Sequence, residues 1–103
     1  MVKKLNKEEF FVQIKRADKP IVIDFTADWC PYCKKLAPIV EEVAKEYEDQ
    51  IAVYFLDIDE NEEIAEQYEV MTIPTIVIFS AGEIVTQAVN PGTKEALLDL
   101  IAV

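Results

Sequence analysis

Asp24-Phe25-Thr26-Ala27-Asp28-Trp29-Cys30-Pro31-Tyr32-Cys33-Lys34 decides how this chain is read. The stretch holds both cysteines and the single tryptophan of the 103 residues. The apolar run Ile21-Val22-Ile23 leads into it. A helical pattern leads out, because Leu36, Ile39, Val40, Val43 and Tyr47 recur on one face of a long helix. A Cys-Pro-Tyr-Cys pair at a strand-to-helix joint can open and close a disulfide. Only a thiolate attacks a disulfide sulfur. The first turn of a helix offers such an anion unpaired N–H groups and the positive end of the helix dipole.

Working outward, Ile21 to Thr26 reads as a central strand covered on both faces, interrupted by the carboxylate of Asp24. Pro38 lies inside the helical pattern that follows and predicts a kink there. Toward the N-terminus, residues 2–5 form a short edge strand and a helix spans about residues 7–16. Asn6 is its N-cap, Glu9 closes a capping box, and Phe10, Phe11 and Ile14 turn inward. Asp18-Lys19-Pro20 ends that helix. Toward the C-terminus, Ile51 to Asp59 is a second strand. Asn61 caps a short helix reaching about Tyr68, with Ile64, Ala65 and Tyr68 facing in. Thr75 to Ser80 is a third strand, Ala81-Gly82-Glu83 a tight turn, and Ile84 to Val89 its hairpin partner. Asn90-Pro91-Gly92 turns the chain again, and Thr93 caps a last helix with Ala96, Leu97, Leu100 and Ile101 inward. The order (β)αβαβαββα predicts an α/β protein, a mixed sheet with helices on both faces.

Length allows one domain, residues 1–103, and the chain shows no repeat, linker or low-complexity segment. Twenty acidic residues against ten basic ones give a net charge of −10. That excludes nucleic acid as the expected partner and argues against an anionic membrane surface; solubility is the plain reading of the acidity. Met1 to Glu9 is too polar for a signal peptide, and no apolar run approaches a membrane span, so a cytoplasmic location is expected. In a reducing cytosol a cysteine pair is catalytic or metal-binding rather than a structural staple. No histidine and no further cysteine is present to complete a zinc site.

Trp29-Cys30-Pro31-Tyr32-Cys33-Lys34 resembles the thioredoxin family when taken with four further features: Asp24-Phe25, Pro38, Ile73-Pro74-Thr75, and the turn from Phe79 to Glu83. The resemblance covers almost the whole chain. It implies the thioredoxin fold: a mixed five-stranded sheet, four strands plus a short N-terminal edge strand, flanked by four helices. It implies a thiol–disulfide oxidoreductase that reduces protein disulfides, with Cys30 as nucleophile and Cys33 as resolving thiol. Asp24 is then the buried acid beneath Cys33 that accepts and returns its proton. Pro74 is implied to be cis and to face the cysteines, leaving the Ile73 backbone to pair with a target peptide. Trp29, Pro31 and Tyr32, with Ile73 and Pro74, make the implied substrate surface. Disulfide-containing proteins and a thioredoxin-reductase-type electron donor are the implied partners. A monomer is expected, with no cofactor and no metal. Lys34 follows the family pattern and would favour the Cys30 thiolate; the alternative for Lys34, Lys35 and Asp28 is solvated surface.

Three features depart from the pattern. Many thioredoxins carry a lysine facing the buried aspartate, where this chain has Phe55. Without that cation Asp24 is expected to titrate higher. Asn90 stands where relatives usually have glycine. Pro31-Tyr32 is the glutaredoxin dipeptide rather than Gly-Pro. Pro31 suits the helix start, and the Tyr32 N–H is expected beside the Cys30 sulfur, giving a more stable thiolate and a more oxidising disulfide. Two other functions remain open on the sequence. One is glutaredoxin-like use of glutathione, against which the expected Gly-Gly segment is absent. The other is a thioredoxin-fold binding module in which redox turnover is incidental.

Overall fold

In the computed structural model, which describes residues 1–103, nine elements follow in chain order. They are β1 (Lys3–Lys4), α1 (Lys7–Ile14), β2 (Ile21–Thr26), α2 (Pro31–Glu46), β3 (Ala52–Asp57), α3 (Glu62–Gln67), β4 (Thr75–Ser80), β5 (Glu83–Val89) and α4 (Lys94–Ile101). The sheet runs β1-β3-β2-β4-β5. β1 and β2 both pair with β3 in parallel, β4 runs antiparallel to β2, and β5 antiparallel to β4. This is the predicted mixed five-stranded sheet with four helices.

β2 sits in the middle of that order, with only its last residue, Thr26, partly open. Its apolar run, broken only by Asp24 before the closing Thr26, is explained by cover on both faces. Ile21, Ile23 and Phe25 join Phe10, Ile14, Leu56, Ile64, Val77 and Phe79 on one side. Val22 joins Leu36, Val40, Val43, Ile76, Ile78 and Leu97 on the other. Alternation along the strand therefore turns Asp24 toward the side that α2 covers. On the opposite side Phe10 meets Phe11, Phe25, Tyr68 and Phe79 edge-to-face at 5.1 to 6.3 Å.

The caps predicted at Asn6 and Thr93 form. Asn6 Oδ1 accepts from the Glu9 N–H at 2.8 Å, and Glu9 Oε1 accepts from the Asn6 N–H at 3.0 Å. Thr93 Oγ1 accepts from the Ala96 N–H at 3.1 Å. Asn61 heads α3 but makes no side-chain cap. Its Nδ2 donates instead to the Asp57 carbonyl at 3.0 Å. The Asp57 carboxylate in turn accepts the N–H groups of Asp59 and Glu60, which turns the chain and ends β3 at Asp57 rather than Asp59. α1 stops at Ile14, two residues short of expectation, because its end is taken by the β4–β5 turn. The Ile14 and Arg16 carbonyls accept from Gly82 and Ala81 N–H at 2.8 and 2.9 Å.

α2 runs unbroken with Pro38 inside it. In α4, Leu97 and Ile101 are buried and Leu98 and Leu100 half-buried, while Ala96 is exposed. The inward placement of Ala96 is thus corrected: Leu97, Leu98, Leu100 and Ile101 form the stripe, and Ala96 stands on its solvent flank. Lys94 Nζ ties α4 to α2 through Glu42 and Glu46 at 2.9 and 2.8 Å. No helix is long and apolar enough to cross a membrane.

Candidate active site

The chain leaves β2 at Thr26 and turns into α2 within four residues, the Cys30 N–H donating to the Ala27 carbonyl at 3.2 Å. Cys30 is the N-cap of α2, with φ −89° and ψ 113°, and Pro31 follows inside the first turn. That placement suits proline, whose missing N–H would have had no partner there. Cys30 Sγ takes the role a serine hydroxyl usually plays at a cap and accepts from the Cys33 N–H at 3.2 Å. In the disulfide form the Tyr32 N–H makes no hydrogen bond to that sulfur. The reason is cap geometry: here it is the third helical amide, not the second, that points at the cap side chain.

Cys30 and Cys33 form a disulfide, with Cα atoms 5.2 Å apart. Cys30 is 3% exposed and Cys33 2%. Across from them the Ile73–Pro74 peptide bond is cis, as the resemblance implied. The Ile73 carbonyl oxygen lies 3.8 Å from Cys30 Sγ. Neither the N–H nor the carbonyl of Ile73 makes a main-chain hydrogen bond. The Pro74 carbonyl is engaged, accepting from the Asn90 N–H at 2.7 Å. Asn90 has φ 44°, in the left-handed region. Asparagine enters that region with less strain than most side chains.

Trp29 is 63% exposed, so it belongs to the surface rather than the core. Its indole Nε1 donates to Asp59 Oδ2 at 2.7 Å. Pro31 and Tyr32 are also exposed, with Lys35 Nζ over the Tyr32 ring at 5.8 Å from its centroid. Asp28, Lys34 and Lys35 are exposed and make no ion pair.

Asp24 is fully buried, and neither carboxylate oxygen has a hydrogen-bond partner. Across the sheet it stands in a row between Ile76 of β4 and Phe55 of β3, with Lys4 of β1 beyond Phe55. Burial pushes its pKa up to about 8, because desolvation penalises the charged form and nothing nearby offsets it. Asp24 faces the side of the sheet covered by α2, whose first buried residue is Cys33. A cavity of about 220 Å³ opens there, lined among others by Cys33, Ala37, Phe55, Asp57 and Thr26. Its wall includes the neighbours of Asp24, Thr26 along the strand and Phe55 across it.

The structure thus gathers Trp29, Cys30, Pro31, Tyr32, Cys33, Ile73 and Pro74 at one end of the sheet, with Asp24 set inside. Sequence reading did not single out Asp59 as the partner of Trp29. A lone exposed tryptophan needs an acceptor for its N–H, and the acidic segment after β3 was the place to seek one. No group of three or more His, Cys, Asp or Glu side chains is arranged to hold a metal ion.

Comparison with known proteins gives a consistent result. Residues 1–103 match the family model described as Thioredoxin. A thioredoxin of Rickettsia typhi is 38% identical, covering 98% of this chain and 96% of its own. A thioredoxin of Alicyclobacillus acidocaldarius is 40% identical over 84% of this chain and 83% of its own. A bifunctional thioredoxin reductase/thioredoxin of Mycobacterium leprae is 42% identical over 86% of this chain, which spans 19% of that longer protein. Among solved structures, oxidised mitochondrial thioredoxin 3 from Saccharomyces cerevisiae superposes with a TM-score of 0.85 at 34% identity, covering 98% of this chain and 93% of that one.

Proposed function

The chain belongs to the thioredoxin family, and from that premise we propose how its cysteine pair works as a protein-disulfide reductase. In the dithiol form Cys30 loses its proton and attacks one sulfur of a target disulfide. A Cys30–target bond forms, the target's S–S bond breaks, and the other target sulfur leaves as a thiolate that takes up a proton. Cys33 then gives its proton to the Asp24 carboxylate and attacks the Cys30 sulfur. The Cys30–Cys33 disulfide forms, and the second target thiolate is released and protonated. Two electrons and two protons pass to the target for each turnover.

The observation that carries this reading is the position of Cys30 Sγ. It accepts an amide N–H at the head of a 16-residue helix and lies 3.8 Å from the carbonyl of Ile73, whose backbone N–H and C=O make no main-chain hydrogen bond. The amide and the positive helix end favour the thiolate. Ile73 offers an N–H and a carbonyl to an incoming extended peptide, with Trp29, Pro31, Tyr32 and Pro74 around it. Asp24 serves as the base for Cys33, supported by its burial on the α2 side and a pKa of about 8, close to that of an ordinary thiol.

A thioredoxin-reductase-type donor recharges the disulfide. In the Mycobacterium leprae relative, reductase and thioredoxin share one name and one chain. The protein works as a monomer in a reducing compartment such as the cytoplasm, where a cysteine pair serves exchange rather than as a staple. Insulin reduction tests the reading in two arms, one driven by thioredoxin reductase with NADPH and one by glutathione with glutathione reductase. Turnover is expected in the first arm. Turnover in the glutathione arm alone contradicts it and favours the glutaredoxin-like alternative.

A further inference from the structure

A groove of about 460 Å³ lies between α3 and the segment that leads to Pro74. Ile58, Ala65, Val70 and Met71 give it an apolar lining. Met71 is 94% exposed, a large apolar side chain held in water two residues before Ile73. The remaining lining residues are all carboxylates: Asp59, Glu62, Glu66 and Glu69. No lysine or arginine lines it.

Two features join this groove to the active-site surface. Asp59 lines the groove and also accepts the Trp29 indole N–H. Met71 ends the groove where the unpaired edge of Ile73 begins. A peptide paired along Ile73 with its disulfide at Cys30, and running on past Met71, would enter the groove.

The charges at the groove are uncompensated. In the same segment Glu60 pairs with Lys4 and Glu63 with Lys7, but Asp59, Glu62, Glu66 and Glu69 have no ion pair. With a net charge of −10 over the whole chain, an anionic segment is repelled on approach and a cationic one is drawn in. Lysine and arginine suit the site in a second way: their aliphatic stems can cover an apolar floor while the charged head reaches the rim.

We propose that this groove holds a segment of the substrate protein rich in both basic and apolar side chains, so that the preferred substrates are disulfides flanked by such a segment. The inference rests on the reading of Cys30 as the attacking thiol and Ile73 as the docking edge. It adds the selectivity, which that reading leaves open.

Two disulfide peptides that differ only in the flanking segment, one with Lys and Leu and one with Glu and Leu, provide the test. The ratio of their kcat/KM values cancels any effect common to the cysteine chemistry. In wild type at low ionic strength the ratio is expected at about tenfold in favour of the basic peptide. It should shrink toward one in about 0.5 M salt. It should also fall in the E62Q/E66Q/E69Q variant, and fall less in E48Q/E83Q/E95Q, which changes the net charge equally at exposed sites outside the groove. A ratio near one in wild type, or equal falls in the two variants, overturns the proposal. A small neutral disulfide without flanks reports the cysteines alone, and its failure to be reduced counts against the reductase reading. In that event, binding of the two peptides to the Cys30→Ser/Cys33→Ser protein still decides the groove. Tighter binding of the basic peptide supports it, and equal binding overturns it.

Discussion

Asp24 faces apolar neighbours across both adjacent strands, Ile76 on one side and Phe55 on the other, and its oxygens have no donor. Its pKa of about 8 in the folded protein stands well above the ordinary carboxylate value near 4. The folded state then binds the proton more tightly than the unfolded chain. Its contribution to stability is complete below about pH 4 and is lost as the pH rises through about 8. The full loss amounts to about 5 to 6 kcal/mol if this group acts alone, most of it between pH 5 and pH 8. Urea unfolding of the disulfide form, in which the cysteines do not titrate, should show that decline between pH 5 and pH 9. Asp24→Asn should flatten it and leave the protein more stable than wild type at pH 9. Catalysis should move the opposite way. The resolving step should quicken as pH rises through about 8 and should slow by about tenfold or more in Asp24→Asn, read from the decay of a preformed mixed disulfide. The presence of a carboxylate in a buried strand was legible in Ile21-Val22-Ile23-Asp24-Phe25. The pairing that puts Ile76 beside it was not, since register is fixed by tertiary pairing.

Among the elements, interiors were easier to read than ends. The period of Leu36, Val40 and Val43 places α2, and the β-branched run of Thr75 to Ser80 places β4, because each pattern matches the face it buries. Ends depended on contacts made by distant segments. Asp57 captures two amides and shortens β3, and the β4–β5 turn occupies the end of α1. Asn61 looked like a cap but donates backward to Asp57, leaving α3 without one. Where caps do form they should be measurable. Thr93→Ala removes the acceptor of the Ala96 N–H and should cost about 1 kcal/mol in urea unfolding. Gly82, at φ 85° in the turn, has room for a methyl group, the nearest atom being Lys15 Cγ at 3.9 Å. Gly82→Ala should therefore destabilise through backbone conformation alone, by about 1 kcal/mol.

Over the whole molecule, 20 acidic residues against 10 basic ones set a repulsive background that acts on both folding and docking. Raising the ionic strength from about 0.02 to about 0.3 M at pH 7 should raise the thermal midpoint, and the gain should vanish near the pI of about 4.3. The candidate active site is assembled at this scale from segments far apart in the chain. Cys30 and Cys33 announce themselves by spacing, whereas Ile73 and Pro74 were tied to them only by resemblance, since nothing local to residues 73 and 74 says what they face. The bond from Trp29 to Asp59 needed the fold to be seen.

The division of labour between the two cysteines is the central claim, and trapping with an insulin-like disulfide protein tests it most directly. Cys33→Ser should accumulate a one-to-one mixed disulfide through Cys30 that dithiothreitol releases, because the group that resolves it is gone. Cys30→Ser should accumulate none, since Cys33 sits inside the first turn of α2 behind the cap, whereas it is Cys30 that lies beside Ile73. Equal trapping by the two variants, or trapping by Cys30→Ser alone, would contradict the account.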